Sequence, residues 1–136
     1  MEPIGINYLS VLVAGVAYMV LGAIWYSSAI FGKAWMKGIG KTKEQVTRNF
    51  SVVSYIWTLI ASFVLAYGVA RIMLWHGTTT IGGGVLVGVL VGVCFVLTTF
   101  SINDSFERRP LGLTIGNILY HMIGLVIVGI IIAAWK

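Results

Sequence analysis

Four uninterrupted apolar stretches, each about as long as a bilayer is thick, constrain this chain more than any other feature. They run over residues 4–26, 52–73, 80–102 and 113–135. A helix needs about 20 predominantly apolar residues to cross the hydrocarbon core, and all four stretches qualify. Their apolar residues are continuous, whereas the strands of a membrane barrel alternate apolar with polar. The composition agrees: 59% of residues are apolar and only 10% charged, too little polar surface to wet a globule. A conventional soluble enzyme and a disordered chain are excluded, and one cysteine leaves no internal disulfide. The expected architecture is an all-α membrane protein: one integral domain over 1–136, a four-transmembrane-helix bundle.

The first stretch is read as a retained span. Glu2 rather than a base precedes it, and it is too long for a signal peptide's apolar region. The net charge is +5, and its placement carries the meaning. Lys33, Lys37, Lys41, Lys43 and Arg48 fall in the first loop, residues 27–51, and Arg108 and Arg109 in the third. Arg71 and Lys136 are the bases of the opposite side. The positive-inside rule then places loops one and three in the cytoplasm and both termini outside it, in a cell inner membrane. Topology and anionic headgroups account for the basic balance, so nucleic acid is not expected as a partner. Trp25, Tyr26 and Trp35 mark the inner boundary, Trp75 and Trp135 the outer.

At helical spacing Phe31, Ala34 and Trp35 share one face of the first loop, with Lys33 and Lys37 on another. The spacing predicts an interfacial amphipathic segment in which Lys33, Lys37 and Trp35 contact lipid headgroups. Gly38 and Gly40 should break it. Thr42 and Gln45 have the spacing of a capping box, so a new helix should start there and feed the second span.

Trp25-Tyr26-Ser27 followed by Phe31-Gly32-Lys33-Ala34-Trp35 resembles the W-Y-S-P-x-x-F-G-K-x-W stretch of a small bacterial membrane-protein family, domain of unknown function 1761. Phe106-Glu107-Arg108-Arg109-Pro110, Tyr120-His121 and the closing Gly129–Trp135 stretch are similar to it as well. Ser28 stands where the family usually has Pro, so no proline fixes a bend after the first span. The resemblance implies a four-span bacterial membrane protein and no particular activity.

Within lipid, helices associate through close packing at small residues and through interhelical hydrogen bonds. Gly84, Gly88 and Gly92 recur every four residues and drift only about 40° per step, so they form one seam for helix packing. The seam serves equally a helix of the same chain or of a second copy. In the second span Ser54, Thr58, Ser62, Ala66 and Ala70 repeat the device, with the central Thr58, Ser62 and Ala66 expected to form the tight face. The first span should turn Asn7, Ala14, Tyr18, Gly22 and Trp25 to protein and Leu9, Val13, Val16 and Val20 to lipid.

The fourth span places Thr114, Asn117 and His121, with Gly124, on one polar intramembrane face. An ionisable imidazole at that depth is either a proton or cation relay or a structural group bonded to Tyr18, a serine or a carbonyl. Arg71 is expected to snorkel to the headgroups, and Cys94 to pack as a small apolar residue. Asp104 and Glu107 read as a solvated loop cluster beside Arg108 and Arg109. No metal-ligand spacing, phosphate loop or paired intramembrane carboxylates occur, so no cofactor, metal or catalytic residue is expected and the chain is not read as an enzyme. Two functions fit: an oligomeric channel or transporter for an ion or small solute, assembled as a homo-oligomer, or an accessory membrane protein binding anionic lipid or another membrane protein.

Overall fold

The computed structural model describes residues 5–49 and 51–135. Among them there is no strand; the elements are α1 (Tyr8–Trp25), α2 (Gly32–Ile39), α3 (Lys43–Arg48), α4 (Val52–His76), α5 (Ile81–Val91), α6 (Thr98–Glu107) and α7 (Leu111–Ala134). A π-helical segment, Gly92–Leu97, joins α5 and α6 into one continuous span. Four helices are therefore long and apolar enough to cross a membrane: α1, α4, the α5–α6 span and α7. The chain is a multi-pass, all-helical membrane protein. The expected span start at Ile4 and the terminal base Lys136 lie outside the described residues.

Local chemistry sets the helix ends. Asn7 accepts the amides of Leu9 and Ser10 at 3.0 and 3.3 Å, so it caps α1 rather than contributing to a face inside the span. Thr42 and Gln45 form the reciprocal capping box at the start of α3. That helix stops at Arg48, and α4 begins anew with Ser51 as its cap, so the segment does not feed the second span continuously. Gly38 does not break α2: it stays helical, with its Cα against the Leu113 side chain. The left-handed Gly40 (φ 70°) ends the helix instead.

Packing centres on α7, which lies against α1, α2, α4 and the α5–α6 span; α1 also packs on α4. Backbones touch where α5 crosses α7. A Cβ on Gly84 would run into the carbonyl oxygen of Gly129, and one on Gly129 into that of Gly84. Gly88 lies over the Leu125 carbonyl and Gly92 over the Met122 thioether. The glycine seam is thus used inside the chain.

On α4 the tight face is Ser62, Ala66 and Ala70, not Thr58, Ser62 and Ala66. Thr58 is exposed, its hydroxyl bonded to the Ser54 carbonyl of its own helix at 2.7 Å. The reason is where α4 meets α1: the contact begins near Phe63, which sits over Gly15, and all of residues 52–61 except Leu59 are exposed. The outward surface is largely apolar, with Val53 74%, Trp57 68% and Phe95 64% exposed, a surface that suits lipid and not water. Cys94 lies on that exposed surface rather than packing inside. The Thr98 and Thr99 hydroxyls donate to the Cys94 and Phe95 carbonyls at 2.8 and 2.6 Å, supplying donors where the π-helical turn disturbs the ladder.

Candidate functional site on the N-terminal half of the last helix

The N-terminal half of α7 gathers most of the polar and aromatic side chains singled out above. Tyr26, just beyond α1, donates its hydroxyl to Oδ1 of Asn117 at 2.7 Å, and Trp25 donates its indole N–H to the Gly116 carbonyl at 3.0 Å. Phe31 drives its ring onto Gly116, where any side chain would collide with it. Tyr26 is the hub, its ring 5.8 Å from Phe31, 5.5 Å from Trp35 and 5.5 Å from Tyr120, each edge-on. Phe31 therefore precedes α2 as its cap residue and faces α7, while Ala34 is exposed. Trp35 is half-buried against Tyr26, and Lys33 and Lys37 project away into the surroundings.

One turn deeper, the Tyr18 hydroxyl hydrogen-bonds Nδ1 of His121, and Tyr120 donates to the Tyr18 carbonyl at 3.0 Å. The imidazole also meets the rings of Tyr120 at 4.7 Å and Phe100 at 5.2 Å. Gly124 makes room for Tyr18, whose ring lies against its Cα. Thr114, Asn117 and His121 thus each have a partner on a different element, and those bonds do not join into one continuous chain.

Asp104 corrects the expectation most sharply. It lies on α6, because the third span runs on to Glu107, and it is only 6% exposed. Thr114 donates its hydroxyl to this carboxylate at 2.5 Å. Arg109 pairs closely with Glu107, at 2.6 Å, and more distantly with Asp104, at 3.9 Å; the hydrogen bond to Glu107 and that carboxylate's charge raise the guanidinium's pKa. Arg108 turns the chain with φ 54°, the one non-glycine residue with positive φ among those described. Helical phase alone would have placed Asp104 one turn beyond Phe100, but nothing local announces that Thr114 meets it.

At the opposite end, a cavity of about 330 Å³ lies between α1, α4 and α7, lined chiefly by Ile6, Asn7, Ala70, Met73, Thr78 and Ile132. Arg71 sits over the Trp75 ring, 5.1 Å from its centroid. Among the described residues no cluster of three His, Cys, Asp or Glu could hold a metal ion.

The residues that bind the first loop to α7, Trp25, Tyr26, Phe31 and Trp35, are those of the aromatic motif in the sequence. The family described as protein of unknown function (DUF1761) matches residues 9–133. This chain belongs to that family. Comparison with curated proteins and with solved structures returns no match. In this DUF1761 protein the motif is a docking device: a Trp–Tyr pair at the end of the first span reaches α7, and the following Phe closes over a glycine of α7.

Proposed function

We propose that this DUF1761 protein is an accessory membrane protein that holds anionic lipid headgroups at the cytoplasmic face of the inner membrane, with both termini on the other side. The observation that carries this reading is the folded first loop, which leaves Lys33, Lys37, Lys41, Lys43 and Arg48 all exposed on one side of the bundle. Each base near an anionic surface adds about 1 kcal/mol of attraction. The half-buried Trp35 anchors α2 to Tyr26, so Lys33 and Lys37 are presented from a fixed helix. Internal pairing of Thr114, Asn117 and His121 supports the same reading, since a conduit would turn such groups to a path. The glycine seam is likewise occupied within the chain.

Retention of phosphatidylglycerol during detergent purification tests it. The double variant K33Q/K37Q should hold anionic lipid roughly thirtyfold less tightly, at about 1 kcal/mol per lost charge. Unchanged retention overturns the proposal. A second reading, a homo-oligomeric conduit for an ion or small solute, draws on the partly accessible His121. It requires pH-dependent flux in liposomes that His121→Ala abolishes; absence of flux from the wild-type protein removes it.

A further inference from the structure

Each of the two polar residues of α7 nearest the middle of the bundle uses only part of its hydrogen-bonding capacity inside the chain. Asn117 accepts from Tyr26 through Oδ1, and its amide nitrogen has no acceptor among the described residues. His121 uses Nδ1 for the Tyr18 hydroxyl, and its Nε2 has no partner there either. No buried side-chain nitrogen or oxygen among the described residues lacks a partner, so both of these nitrogens reach the surface of the bundle. The intermediate exposure of both residues agrees.

Their chemistry has one sign. The Tyr18 hydroxyl has no other acceptor among the described residues, so it donates to Nδ1 and the imidazole proton rests on Nε2, while an amide nitrogen carries two protons. Both are donors, four residues apart on one helix face and hence about 6 Å apart. In hydrocarbon an unmet donor is costly, so an acceptor there gains what water would otherwise supply. The Phe100 ring lies tilted against His121 and bounds the place with an aromatic wall. By helical rise, Asn117 and His121 lie about 9 and 15 Å from the start of a helix about 36 Å long.

We propose that Asn117 and His121 form a binding site for a membrane-dissolved molecule presenting a carbonyl oxygen. Two carriers of that group are available in a bilayer: the ester of a phospholipid and a free quinone. Depth favours the quinone, because ester carbonyls lie at the boundary of the roughly 30 Å hydrocarbon core and His121 lies near its middle. The site is independent of the basic loop, so its failure leaves the headgroup proposal intact.

The test uses the full chain, with ¹⁵N-labelled histidine, in lipid nanodiscs, and a benzoquinone bearing a short isoprenoid tail as the probe. The Nε2 resonance of His121 should shift saturably, while that of His76 stays fixed. Asn117→Leu should weaken the titration about tenfold, as loss of one well-placed hydrogen bond does. Tyr26→Phe removes the internal bond of Asn117 and keeps its amide donors, so binding should persist; equal loss in both variants would mark a structural role and overturn the assignment. A resonance indifferent to the probe that differs between ester- and ether-linked lipid supports the site with phospholipid as its carbonyl source. A wild-type resonance that ignores both, or moves only with the number of protein copies per disc, overturns it.

Discussion

Gly129 and Gly68 are both helix-interior glycines in an apolar span, yet a methyl group should have opposite effects on them. At Gly129 it meets the Gly84 carbonyl, so Gly129→Ala should force α5 and α7 apart and cost about 1–3 kcal/mol, read as a lowered unfolding midpoint in detergent. Nothing lies within 4 Å at Gly68, so Gly68→Ala should stabilise by roughly 0.5–1 kcal/mol through helix propensity alone. Asp104 makes a second residue-level argument. Thr114→Val leaves its buried carboxylate without the hydroxyl and should cost about 1–3 kcal/mol, while the double change D104L/T114V should recover part of that loss. Neither effect is visible in the sequence. Gly68 and Gly129 are each a single glycine between apolar neighbours within a span, and Asp104 sits among charges that read as a solvated loop.

At the scale of elements, the capping box of α3 was legible, because a cap acts over three or four residues. Thr42→Ala should fray α3 by about 1 kcal/mol, seen as faster amide exchange at Val46, whose N–H bonds the Thr42 carbonyl, with α7 unaffected. The spans were legible for a similar reason: hydropathy over 20 residues is a local sum, and α4 and α7 fall within a few residues of the expected limits. Less legible was how far each element continues. The third span runs on to Glu107 because Asp104 finds Thr114, and α2 passes through Gly38 because Leu113 packs there. Which three of five small residues on α4 are buried depends equally on where α1 crosses it.

For the whole molecule, the charge asymmetry leads to a topology that cysteine labelling can check. In a Cys94→Ser background, Lys37→Cys should react with an impermeant maleimide only after the cells are opened. Thr79→Cys, in the short turn between α4 and α5, should react in intact cells. The reverse pattern would invert the protein and move the basic loop to the outer face. Four apolar helices, the capping box of α3 and the unequal sharing of charge between the loops follow from the sequence alone, since each is a property of neighbouring residues. Which helices the glycines bring together, that Phe31 turns onto Gly116, and that His121 keeps one nitrogen for Tyr18 and one for the surface were decided only by the tertiary structure. Those pairings join residues from tens to about a hundred positions apart, and in lipid, where apolar faces are interchangeable, close fit and hydrogen bonding choose the partner.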